Sequence, residues 1–137
     1  MHPHDTVQLK NLADQKGLKS ASKYGVPERL IPSWAREGGA DAWMVTLSYK
    51  GRKLTVPFFM GSGHHGEEPQ AYEVIGALLS DVSGIDASRS FEDWAGELGY
   101  DTDSRAAEAI FKSVQALAPK VHRLLGADFD EFSQAEY

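Results

Sequence analysis

The chain has 137 residues, a formal net charge of −6 and no cysteine. That length suits one domain with a real core, since about 68% of the unfolded surface is buried at this size. Lack of cysteine excludes disulfides, thiolate metal sites and cysteine nucleophiles, and an apolar fraction of 42% with 25% charged residues describes an ordinary globular composition.

The N-terminus MHPHDTVQLK lacks the apolar centre of a signal peptide, and no apolar run reaches bilayer length. A cytoplasmic protein without a membrane partner is the expectation. Residues 1–25 read as a basic arm set apart from a single α+β domain over residues 26–137. Val7, Leu9, Leu12 and Ala13 could line a short helix ended by Gly17, whereas LKSASKYG is small, polar and basic and reads as a loop or partly mobile arm. Pro27 and Pro32 leave ERLI room for a single helical turn before Trp34.

AWMVTLSYKGRKLTVPFFM carries the clearest strand signal. A Lys50-Gly51 turn pairs Tyr49 with Arg52, Leu47 with Leu54, Val45 with Val56 and Trp43 with Phe58. The apolar residues then share one face, while Thr46, Ser48, Lys53 and Thr55 take the other. Lys-Gly is a weak type I′ sequence, so a bulge with a left-handed Gly51 is the competing geometry. Pro57 cannot donate to a ladder, which places its strand at an edge. Gly61–Gly66 reads as a loop, and Pro69 as the first residue of a helix with a broad apolar stripe through Val82, stopped by Ser83-Gly84.

Ser90 and Asp93 resemble a capping box for a short helix whose Phe91, Trp94, Ala95 and Leu98 share a face, with Gly99 as its stop. Asp101, Thr102 or Asp103 would cap the next helix. There Ala106, Ile110, Val114, Leu117, Val121 and Leu124 recur at spacings of four and three, and Pro119 implies a kink or two helices in line. Phe129 and Phe132 in the acidic tail are expected to dock on the body. The fold expected is α+β: an antiparallel β-hairpin, with room for a third strand, packed against three or four helices.

Charge is unevenly placed. Residues 1–60 hold nine basic and five acidic side chains (net +4), residues 61–137 five basic and fifteen acidic (net −10). Residues 81–108 alone contain eight carboxylates and two arginines, a net −6. Such density repels itself unless structure or a basic partner uses it. His64, His65 and Glu67 have metal-ligand chemistry but no fixed spacing, and a solvated loop is the preferred reading. An EF-hand beginning at Asp101 fails, because Ala106 stands where glycine is needed and Lys112 where glutamate is. No Ser–His–Asp order, nucleotide loop or cofactor motif is present.

The string FEDWAGELGYDTDSRAAEAIF, after a hairpin ending FFMGSGHH and a helix ending LLSDVSG, resembles a family of small proteins from phages, plasmids and integrated elements. Their shared pattern is FEDW followed by GYDxDSRxAE, and the similarity spans about two-thirds of the chain. The resemblance implies mobile-element cargo, a class that includes inhibitors of host defence such as anti-CRISPR proteins, and it carries over no catalytic residue. The expected function is therefore a non-enzymatic inhibitor without metal or cofactor. Asp86, Glu92, Asp93, Glu97, Asp101 and Asp103 would meet the basic nucleic-acid-binding surface of a host defence complex. The alternatives are a metal-dependent enzyme at His64, His65 and Glu67, and a DNA-binding accessory protein using the basic arm; direct nucleic-acid binding is otherwise not expected.

Overall fold

A computed structural model describes residues 3–32, 35, 41–60 and 67–135, with backbone alone for residues 3–8 and 60. Period-two alternation produces the hairpin of β2 (Asp41–Tyr49) and β3 (Arg52–Met60). Its register is the one the apolar pattern requires, from Tyr49 opposite Arg52 to Trp43 opposite Phe58. Lys50 and Gly51 have φ of 48° and 79°, so the turn is type I′ without a bulge. Trp43, Val45, Leu47 and Val56 are buried on the core face, with Leu54 and Phe58 packed against them. Pro57 lies on an edge strand, as a residue without an N–H must.

A third strand, β1 (Lys19–Tyr24), replaces the loop expected after Gly17. It pairs antiparallel with β2, Lys19 opposite Ser48 and Tyr24 opposite Trp43, so β2 is central. Pairing satisfies the second edge of β2, a backbone demand that the side chains of KSASKY do not advertise. Its core-facing positions include Ser20 and Ser22, and the buried Ser20 hydroxyl has no hydrogen-bond partner among the described residues. Helix α1 (Pro3–Lys16) buries Leu9 and Ala13, and Leu18 follows them into the core. The N-terminal segment thus shares the core of the rest; the side chain of Val7, Trp34 and the Gly61–Gly66 loop lie outside the described residues.

Helix α2 (Ala71–Ala87) begins at a reciprocal cap in which the Gln70 N–H donates to Glu73 Oε1 at 3.1 Å. Pro69 is buried just before it rather than serving as its first residue. The helix runs through Ser83-Gly84, the expected stop. A mid-helix glycine costs about 1 kcal/mol, which burial of Val82 and partial burial of Ile85 offset. Helix α3 (Phe91–Leu98) ends at Gly99, whose φ of 77° permits the reversal. Helix α4 (Arg105–Leu125) is one continuous helix despite Pro119, held by Ala118 and Val121 on its buried side. A 3-10 turn (Gly126–Asp128) leads into α5 (Phe129–Ala135), where Phe129 and Phe132 are buried as expected.

Tyr49, at the end of β2, fastens the sheet to this C-terminal segment. Its ring meets Phe132 edge-on at 5.5 Å, and its hydroxyl donates to Asp128 Oδ2 at 2.6 Å. Lys50 Nζ donates to the same oxygen at 2.8 Å. Those donors, Lys50 foremost, hold the Asp128 carboxyl down at about 2, against an ordinary 3.8. Burial, then the bond to Asp128, pushes the Tyr49 phenol up, and the bond to Asp128 pushes the Lys50 ammonium up.

Two outcomes are expected. Leu9→Ala should destabilise the protein by about 2–5 kcal/mol in denaturant unfolding; a change near zero would mean that the N-terminal helix contributes nothing to the core. The native carboxylate of Asp128 is favoured by folding, so its contribution is complete above its ordinary value and fades as pH falls towards 2. The melting-temperature difference between wild type and Asp128→Asn should be flat from about pH 5 to 9 and shrink below about pH 4.

Candidate functional site

The acidic segment folds into a corner of its own. Phe91 and Trp94 on α3 pack on Phe111 of α4, with ring centroids 5.4 Å and 5.2 Å away, and Trp94 stacks on Tyr100 at 5.3 Å. Such contacts add about 0.5–1.5 kcal/mol per pair beyond area burial. Trp94, Ala95, Ala107 and Val114 are buried here without joining the main core. The α3–α4 corner is therefore a satellite of the sheet-and-helix body, carried on the N-terminal half of α4.

Most of its carboxylates have structural employment. Asp93 N–H donates to Ser90 Oγ at 3.1 Å, and the Asp93 carboxylate accepts from the Arg89 N–H at 3.1 Å, one residue earlier than an ideal capping box. Asp101 Oδ1 accepts from the Asp103 N–H at 3.0 Å, an Asx turn that sets up α4. The cap of α4 is Ser104, whose Oγ accepts from Ala107 N–H at 3.2 Å, and not Asp101, Thr102 or Asp103. Glu108 pairs with Lys112 one turn on, and Asp86 meets His122 Nε2 at 2.6 Å, joining α2 to α4.

Glu92, Glu97 and Asp103 are exposed and make no side-chain hydrogen bond or ion pair among the described residues. Beside them stand two apolar groups that the helical pattern did not flag as surface. Leu98 is 57% exposed, because Gly99 turns the chain away before α4 can cover it. Tyr100, stacked on the Trp94 ring, is 41% exposed. Of the six carboxylates expected at the interface, Asp86 belongs to the α2–α4 contact and Asp93 to a cap. Glu97, Leu98, Tyr100, Asp101 and Asp103 are gathered by the tight turn around Gly99.

The other expected centres are less developed. His64 and His65 lie outside the described residues, Glu67 is exposed, and no group of three or more His, Asp or Glu among the described residues is placed to hold a metal. Of the basic N-terminal residues, Lys16 pairs with Glu131 of α5 at 2.5 Å, which raises its ammonium pKa, and Lys19 and Lys23 extend from β1. Sequence reading overlooked a different basic cluster, Arg52 and Lys53 with Lys120 and Arg123, which a large separation along the chain conceals. The chain matches no family model, no curated protein and no solved structure, so function rests on the geometry and on the sequence pattern.

Capping and solvated carboxylates are separable by stability. Ser90→Ala should cost about 1 kcal/mol, whereas Glu92→Gln and Glu97→Gln should each stay within about 0.5 kcal/mol of wild type in denaturant titration.

Proposed function

We propose that this protein is a non-enzymatic binding domain that presents its α3–α4 corner to a basic surface on another protein. The observation that carries this reading is the exposed Leu98–Tyr100 pair, flanked by Glu97 and Asp103 with no pairing partner of their own among the described residues. An apolar anchor inside a charged rim is the usual composition of an interface centre. Carboxylates on a rigid corner speed and orient encounter with Lys/Arg-rich surfaces.

The mobile-element resemblance supports a finer reading, inhibition of a host CRISPR-Cas or other nucleic-acid-processing defence complex. Surfaces that bind phosphate backbones are rich in lysine and arginine, and a rigid array of carboxylates competes for the same side chains. Affinity capture from a CRISPR-competent host, followed by titration with the purified subunit, tests both levels. Retention of a nucleic-acid-binding subunit is expected, with competition by its nucleic acid. Paired Glu97→Lys and Asp103→Lys, or paired Leu98→Ala and Tyr100→Ala, should weaken binding by about tenfold or more. Binding indifferent to both pairs would refute the corner as the interface; retention of no defence subunit would refute the inhibitor reading.

A further inference from the structure

A groove of about 550 Å³ opens between the edge strand β3 and the C-terminal half of α4. Arg52 and Lys53 line it from the strand, Lys120 and Arg123 from the helix, and no carboxylate lines it. The four cations are a local excess in a chain of net charge −6. Lys53, Lys120 and Arg123 form no ion pair among the described residues. Four like charges around one opening repel one another unless an anion sits between them.

Arg52 is held in place before any ligand arrives. Its Nε donates to the Leu124 carbonyl at 2.8 Å, at the end of α4, where a cation also suits the helix dipole. Among the described residues its remaining guanidinium N–H groups have no acceptor. Because Tyr49 and Arg52 flank a two-residue turn, they form a hydrogen-bonded pair, which directs the backbone N–H and C=O groups of Lys53 and Thr55 to the open edge. Buried Leu124 and half-buried Leu54 supply an apolar floor.

We infer that the β3–α4 groove is a binding site for a phosphorylated small molecule of nucleotide size. Cations and edge-strand N–H groups would take the phosphates, and the leucine floor the base or another apolar body. The volume lies within the range of small-ligand sites. A nucleic-acid strand fits less well, because no aromatic side chain lines the groove for base stacking along a strand. Lys19 and Lys23 on the exposed outer face of the sheet make an oligonucleotide the informative competitor.

Titration of isotope-labelled protein with ATP, followed by amide NMR shifts, tests the assignment, with tripolyphosphate and a short single-stranded oligonucleotide as parallel probes. Saturable shifts are expected at Leu54, Thr55 and Leu124 with ATP and, at the same residues, with tripolyphosphate. Lys120→Glu and Arg123→Glu, both at exposed helix positions, should each weaken ATP by about tenfold, the worth of one charge-assisted contact. Lys53→Glu, on the strand side, provides the same readout should either helix variant fail to fold. Shifts that do not saturate, affinities unchanged in the folded variants, or an oligonucleotide bound more tightly than ATP would overturn the inference, the last in favour of a nucleic-acid surface. Variants at the α3–α4 corner leave these shifts in place, so each site can fail without the other.

Discussion

Everything distinctive about this molecule hangs on α4 having to serve two cores with one apolar stripe. Its C-terminal half contributes Ala118, Val121, Leu124 and Leu125 to the core shared with the sheet, α1, α2 and α5. Its N-terminal half gives Ala107, Phe111 and Val114 to the satellite cluster with Phe91 and Trp94. A helix of 21 residues is about 30 Å long, so the acidic corner and the basic groove stand at opposite ends of one rod. Charge follows the same axis, with carboxylates around the α4 N-terminus and Lys120, Arg123 and Arg52 near its C-terminus. That is the polarity the helix dipole favours.

The hairpin register was legible in the sequence because side-chain alternation specifies it, while the choice between a tight turn and a bulge at Lys50-Gly51 was not. Strand β1 was not, since what makes it a strand is the open edge of β2; KSASKY supplies two serines where an apolar signal would stand. Local punctuation misled at Ser83-Gly84, and at Pro119 it left open a second helix that is not there. Ser83-Gly84 looks like a stop only if Ile85 has nothing to pack against, and Pro119 looks like a break only if the residues around it are free to leave the core. Tertiary burial outweighs the local penalty in both, about 1 kcal/mol for the glycine and about 3 kcal/mol for the proline.

The acidic site was legible as composition and only in part as geometry. The Ser90–Asp93 cap was readable from the sequence and is present, whereas the cap of the next helix falls one residue beyond the three candidates. Ser104 rather than an aspartate caps α4, which leaves the Asp103 carboxylate exposed and without a partner among the described residues. Leu98 satisfies the helical period of a buried residue, yet a period cannot say where the neighbouring helix ends. The basic groove escaped altogether, because Arg52 and Lys53 meet Lys120 and Arg123 only after the hairpin lies along α4.

Placement at opposite ends of α4 also limits how the two proposed sites could influence each other. Coupling between sites needs an element with two arrangements that both ligands bias. Between the corner and the groove lies a continuous helix bound on one side to a close-packed core, and Pro119 has already given up the hydrogen bond whose making and breaking could serve as a switch. Sites so separated, with no shared contacts, contribute independently. A partner on the acidic corner would leave the groove open and its affinity unchanged. The two proposed sites are therefore held apart by the length of α4, one at the acidic end of the helix and one at its basic end.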